Sequence, residues 1–238
     1  TMDVRKDFPL TKQVRYFDNA CTTLKPQVVI DAVVSYYRDF PGCAVRSQHR
    51  LARRAHKEFE AARERIAKFV DATPEEVIFT KNTTEALNLA FSSLSRKGKA
   101  VTSVMEHHSV LLPLRKNFSS ITYVSPDSKG DFDEESWGKA ISGASVIATH
   151  LVNNTLSTSP PIPSIIKRAR EEDALVVIDA AQGIPHKKVS FKREGVDLMA
   201  FSGHKMLGPT GIGCLIASEE VQTEMKEFIV GGGTVEMV

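Results

Sequence analysis

No run in these 238 residues is long and apolar enough to cross a membrane, and neither sign of charge dominates. The 31 basic and 29 acidic residues are interspersed without a long single-sign block, which gives no reason to expect a nucleic acid or an acidic membrane as partner. Cysteine is scarce. Cys21, Cys43 and Cys214 stand far apart with no CxxC spacing, which argues against a zinc site or a disulfide scaffold and fits a reducing compartment. The opening TMDVRKDFPL lacks the apolar stretch of a secretion signal, so a cytoplasmic protein is expected and the sequons at Asn82, Asn117 and Asn153 read as chance. Repeats, low-complexity tracts and internal linkers are also missing, which leaves one large domain over residues 1–238.

What is present is alternation. From about residue 75 the runs EEVIFT, AVTSV, SITYV, SVIATHLV, ALVVIDA, DLMAFS and GCLIAS read as strands, most of them β-branched or wholly apolar. Between them TTEALNLAFSSL, SVLLPLRKNF, DEESWGKAI and PSIIKRAREE read as helices. The pattern predicts an α/β fold, a three-layer α/β/α sandwich around a mostly parallel seven-stranded sheet. A helical N-terminal arm, about 1–72, precedes it. Pro26 opens one helix at a favoured first-turn position, and a second, long helix carries Leu51, Ala55, Phe59, Ala62, Ile66 and Phe69 on one stripe.

Several strand ends carry chemistry. After VIFT, Asn82 is placed to cap a helix with Glu85 in capping-box spacing, and Thr83 and Thr84 sit in its first turn. Such a turn is either an ordinary cap or an anion cup. Asp179 ends the run ALVVID, so it either caps the next turn or pairs with a cationic ligand atom such as a protonated pyridine nitrogen; Gln182 lies three residues on. Lys205 follows another core strand directly, where partial burial would make its amine nucleophilic toward an aldehyde. Ser202 and His204 flank it as donors suited to a phosphate. The stretch GPTGIG is neither a dinucleotide fingerprint nor a Walker loop. Glu106, His107 and His108 lie between a strand and a helix; an imidazole there either covers an aromatic ligand or is simply solvated, and no third ligand sits at metal spacing.

Taken in order, YFDNACTTLKP, TKNTTEALN, MEHHS, THLVNN, VIDAAQGIPH and SGHKMLGPTGIG resemble the class V aminotransferase family, most closely its cysteine desulfurase/selenocysteine lyase branch. The resemblance implies pyridoxal 5′-phosphate held by Lys205 as a Schiff base, with Lys205 also moving the substrate Cα proton. It implies Asp179 at the pyridine nitrogen, Gln182 near the ring hydroxyl, and His107 stacked on the ring and active in acid–base steps. Thr84, Ser202 and His204 would bind phosphate, joined by the Thr83 turn, and Asn153 would stand beside the substrate carboxylate. It further implies an amino-acid substrate, cysteine first, a homodimer that buries the N-terminal arm, and a sulfur-acceptor protein. Other amino-acid aminotransferases, lyases or epimerases of the family, or a non-catalytic cofactor-binding fragment, are the alternatives.

Some positions depart from the family pattern. Val45-Arg46-Ser47-Gln48-His49 replaces a His-Arg-Gly core, Cys21 replaces an alanine and is either reachable beside the substrate or, the first expectation, a small buried residue, and the spacing from the last glycines to Met237 is longer. The resemblance also implies that these residues are the large domain without the small C-terminal domain, which in desulfurases brings the sulfur-accepting cysteine loop and a carboxylate-binding arginine.

Overall fold

The computed structural model describes residues 4–44 and 46–231, so Val45 and the segment from 232 to Val238 lie outside the described residues. Seven strands are formed: β1 (Val77–Thr80), β2 (Lys99–Ser103), β3 (Ser120–Val124), β4 (Ala144–His150), β5 (Leu175–Asp179), β6 (Leu198–Ser202) and β7 (Gly213–Ala217). They make one sheet in the order β1-β7-β6-β5-β4-β2-β3. Strand β7 runs antiparallel to β1 and β6, and every other pairing is parallel. Each of the seven apolar runs is therefore a strand of a mostly parallel sheet.

Burial on both faces explains why those runs carry no polar alternation. In β5, Val176 and Ile178 face one core, with Trp137 and Ile141 of α5 (Glu134–Ile141), Ile165 of α6 (Ile162–Glu171) and Val70 of the arm. Leu175 and Val177 face the other, with Leu87 and Phe91 of α3 (Thr83–Ser93) and Val110 and Leu114 of α4 (His108–Asn117). Successive strand residues point to opposite faces, so the two clusters are two helical layers on one sheet. Leu87, Phe91 and Leu114 are wholly enclosed. Each such side chain contributes roughly 1.5–3 kcal/mol and pins α3 and α4 across the sheet.

Among its described residues the arm holds two α-helices, α1 (Gln27–Asp39) and α2 (Arg50–Val70). Pro26 is not inside α1. Its ψ of 153° is extended, so it stands as the cap and Gln27 is the first helical residue. No residue of α1 is buried; Val28 and Tyr37 are each 71% exposed. The buried stripe of α2 also differs from the expected one: Ala52, Ala55, Ala67 and Val70 are buried, whereas Phe69 is 57% exposed. The inward face passes from Ile66 to Val70, one full turn, which rotates Phe69 off it. At α3, Asn82 Oδ1 accepts from the Glu85 amide at 2.9 Å, but the Glu85 carboxylate reaches back to the Lys81 amide instead of closing the expected box.

One glycine allows the sheet and α3 to meet. Gly213 opens β7 between Thr80 and Ser202, and a Cβ there would lie 2.7 Å from both Asn82 Cα and the Phe201 carbonyl oxygen. Both obstacles are backbone, so neither can swing aside. Gly213→Ala is expected to cost about 1–3 kcal/mol, the range for overfilling a packed site. Urea unfolding of the two chains checks this, and equal midpoints would contradict it.

Candidate functional site

Parallel strands deliver their last residues to a common edge, and here that edge collects Ser103, His150, Asp179 and Ser202 from β2, β4, β5 and β6. A cavity of about 510 Å³ opens over it. Thr83, Thr84, His107, Asn153, Asp179, Gln182, Ser202, His204 and Lys205 all line this cavity. The nine positions singled out from the sequence are thus brought together.

Asp179 caps the next turn and also faces the cavity. Its Oδ1 accepts from the Ala181 amide at 3.0 Å, capping the turn, while the side chain also lines the cavity. Burial pushes its carboxyl up to about 6; the Ala181 bond opposes this, Glu106 adds to it, and Lys205 and His150 work against it. Gln182 is buried and spends one amide hydrogen on the Ala20 carbonyl at 2.6 Å.

Lys205 sits half-buried in a single tight helical turn, Gly203–Lys205. The turn is fastened from the arm. The His204 carbonyl receives the Thr23 amide at 2.8 Å, the Thr23 and Thr22 hydroxyls at 3.0 and 3.3 Å, and the Lys25 ammonium at 3.0 Å. Burial lowers the pKa of His204, and the charges of Lys205 and Lys25 lower it further.

At the start of α3 the Thr83 amide donates to Ser202 Oγ at 2.8 Å, and the two hydroxyls lie 2.6 Å apart. Thr84 stands exposed beside them. His107 caps α4, its Nδ1 accepting the Ser109 amide at 3.1 Å. A ring nitrogen that accepts in this way carries no proton, so the neutral ring holds its proton on Nε2. Its pKa is lowered by burial first, then by Lys205 and His108. Asn153 ties two loops together: Nδ2 donates to the Met105 carbonyl at 3.0 Å, and Oδ1 accepts the amides of Thr155 and Leu156.

Cys21 is a correction. It is exposed and lines the cavity, because residues 18–22 form a turn over the rim and not a core element. Two further titratable groups of the lining were not singled out, Asp18 and His150. His150 ends a buried strand as Asp179 does, and that signal would have found it. Among the described residues no group of three or more His, Cys, Asp or Glu could hold a metal ion, and no helix is long and apolar enough to cross a membrane.

The donor set fits a flat anionic aldehyde. It offers a lysine amine, a buried carboxylate for a cationic ring nitrogen, an imidazole beside them, and hydroxyls at a helix N-terminus for phosphate.

Comparison with known proteins gives the same direction. The family model described as aminotransferase class-V matches residues 15–238. A probable cysteine desulfurase of Pyrococcus abyssi is 40% identical over 99% of this chain and 61% of its own length. The apo structure of a cysteine desulfurase from Thermococcus onnurineus superposes with a TM-score of 0.94 at 40% identity, covering 99% of this chain and 61% of that one. A structure described as SspA in complex with cysteine gives a TM-score of 0.84 at 32% identity, over 93% of this chain and 66% of that one. The chain spans about three fifths of the length of the curated relatives it matches.

The raised carboxyl of Asp179 has a consequence for stability. The folded chain holds this proton more tightly than the unfolded chain, whose carboxyl titrates near 3.8. Stability is therefore lost as pH rises from 3.8 to about 6 and is flat above. A displacement of that size corresponds to about 3 kcal/mol. Asp179→Asn, without ligand, is expected to be more stable above this window by up to about that amount and to lose the slope within it. Urea unfolding across the window measures both; equal slopes would contradict the assignment.

Proposed function

We propose, from the premise that this chain belongs to the aminotransferase class-V family, that it is the pyridoxal-phosphate-binding large domain of a cysteine desulfurase. The observation that carries this reading is the meeting of Lys205 with the buried carboxyl of Asp179 in one cavity. Relatives named as cysteine desulfurases support it, as does the neighbour described in complex with cysteine.

When bound, pyridoxal phosphate supplies an electron sink for a bond breaking beside a substrate amino group. The chain's residues divide the remaining work. Lys205 Nζ is the nucleophile for the aldehyde and the base that takes and returns the substrate Cα proton. Asp179 holds the proton on the ring nitrogen by standing as its counter-ion. His107, neutral above its lowered pKa, covers the ring and offers its Nε2 proton. Thr83, Thr84, Ser202 and His204 take the phosphate with the N-terminus of α3. Gln182 keeps one amide hydrogen for the ring hydroxyl, and Asn153 stands beside the substrate carboxylate. The overall reaction converts L-cysteine to L-alanine and hands its sulfur to an acceptor, which in a cell is a partner protein.

The uncovered apolar residues of α1, with Val28, Ile30, Val34 and Tyr37 all exposed, support a homodimer that buries the arm. Sedimentation of the full-length protein is expected to give twice the chain mass, and a clean monomer would contradict the dimer.

The cofactor site is tested by one covalent bond. Incubation with pyridoxal phosphate, borohydride reduction and peptide mass spectrometry should place the label on Lys205, with Lys205→Ala unlabelled. With a dithiol reductant present to take the transferred sulfur off as sulfide, the loaded full-length protein should then release alanine and sulfide from cysteine. Label scattered over surface lysines would refute the site, and a correctly labelled protein inert toward cysteine would refute the substrate alone.

A further inference from the structure

Behind Asp179 lies a second buried ionisable group that the proposed chemistry does not use. Glu106 follows β2, and its side chain is wholly enclosed. Its Oε1 receives three groups: Ser103 Oγ at 2.6 Å, Thr149 Oγ1 at 3.1 Å and His150 Nδ1 at 2.8 Å. All three converge on Oε1 while Oε2 is buried without a partner, and an Oε1 that only accepts requires His150 to carry a proton on Nδ1. A buried carboxylate also needs a compensating charge, and the basic group in contact with Glu106 is His150.

This leaves the far side of the imidazole unused. His150 Nε2 is buried and has no hydrogen-bond partner. Yet His150 lines the cavity and is the register partner of Asp179 across β4 and β5, so the two side chains leave the same face of the sheet. The charged groups acting on Asp179 come from three places: Glu106 after β2, His150 at the end of β4, and Lys205 after β6. His107, His204 and Asp18 share the cavity with them.

We propose that Glu106 and His150 are positioning residues that set the charge on Asp179: Glu106 fixes the imidazole with its proton at Nδ1, and His150 balances Glu106 so that Asp179 stays ionised beside it. The proposal rests on reading Asp179 as the counter-ion of a ring nitrogen and names what keeps that counter-ion charged. The two partners act in opposite senses, because Glu106 raises the carboxyl's pKa and His150 lowers it.

That opposition is the test. His150→Asn keeps an N–H donor near the place of Nδ1 but removes Nε2 and the titratable ring. Glu106→Gln removes the negative charge at nearly constant shape. Carboxyl-carbon NMR of the ligand-free 238-residue chain follows Asp179, assigned by its loss in Asp179→Asn. The midpoint is expected to rise by about one pH unit in His150→Asn and to fall in Glu106→Gln. Midpoints that coincide with the unsubstituted chain, or that move the same way in both variants, overturn the proposal. A purely packing role would move melting temperatures and leave the midpoints together. A measurement without substitution stands beside this: nitrogen NMR of the His150 ring should show a protonated Nδ1, and a bare Nδ1 overturns the pairing. Binding of pyridoxine phosphate, in which an alcohol replaces the aldehyde, separates the two readings. Opposed midpoints with no binding at any pH would fail the cofactor assignment and leave the pair standing. Binding with unmoved midpoints would fail the pair alone.

Discussion

A carboxyl group largely withdrawn from water is tolerable only among donors and opposite charges, and Asp179 places that demand at the end of the central strand β5. Much of the site can be derived from meeting it. The Ala181 amide answers one oxygen, Lys205 approaches from β6, and His150 stands beside it on β4, itself answered by Glu106. These groups are far apart in sequence. They converge because parallel strands end together at one edge, and because helical layers on both faces hold those strands in register.

The seven strands were legible because a strand covered on both faces has no polar side to confuse the reading. β5, β6 and β7 are buried at every position, and their apolar runs have no other explanation of comparable simplicity. The cavity residues were legible for a related reason: Asp179, Ser202 and Lys205 interrupt apolar runs at points where a polar group would otherwise be costly. What the sequence concealed depends on rotation and on long-range meeting. A stripe of period 3.6 does not say whether it closes on Phe69 or Val70; the sheet beneath the helix decides. Likewise, the exposed apolar residues of α1 look from sequence like those of any amphipathic helix.

The network behind Asp179 was hidden more deeply. Ser103 and Thr149-His150 come from β2 and β4, neighbours in the sheet, and Glu106 from the turn after β2, more than forty positions before its partners on β4. Neither the strand end THLV nor the turn after VTSV announces the other. The exposure of Cys21 was hidden in the same way, since the turn that carries it is held over the rim by partners as distant as Gln182 and His204.

The strap from Thr22, Thr23 and Lys25 to the His204 carbonyl bears on the order in which the molecule is made. Its two halves lie 182 residues apart at the widest of these bonds. During synthesis at about 5–20 residues per second, the arm would wait roughly ten to forty seconds for the turn it fastens. A ribosome therefore presents the rim of the cavity well before its anchor. The pocket can reach its final shape only after the sheet beneath it is complete.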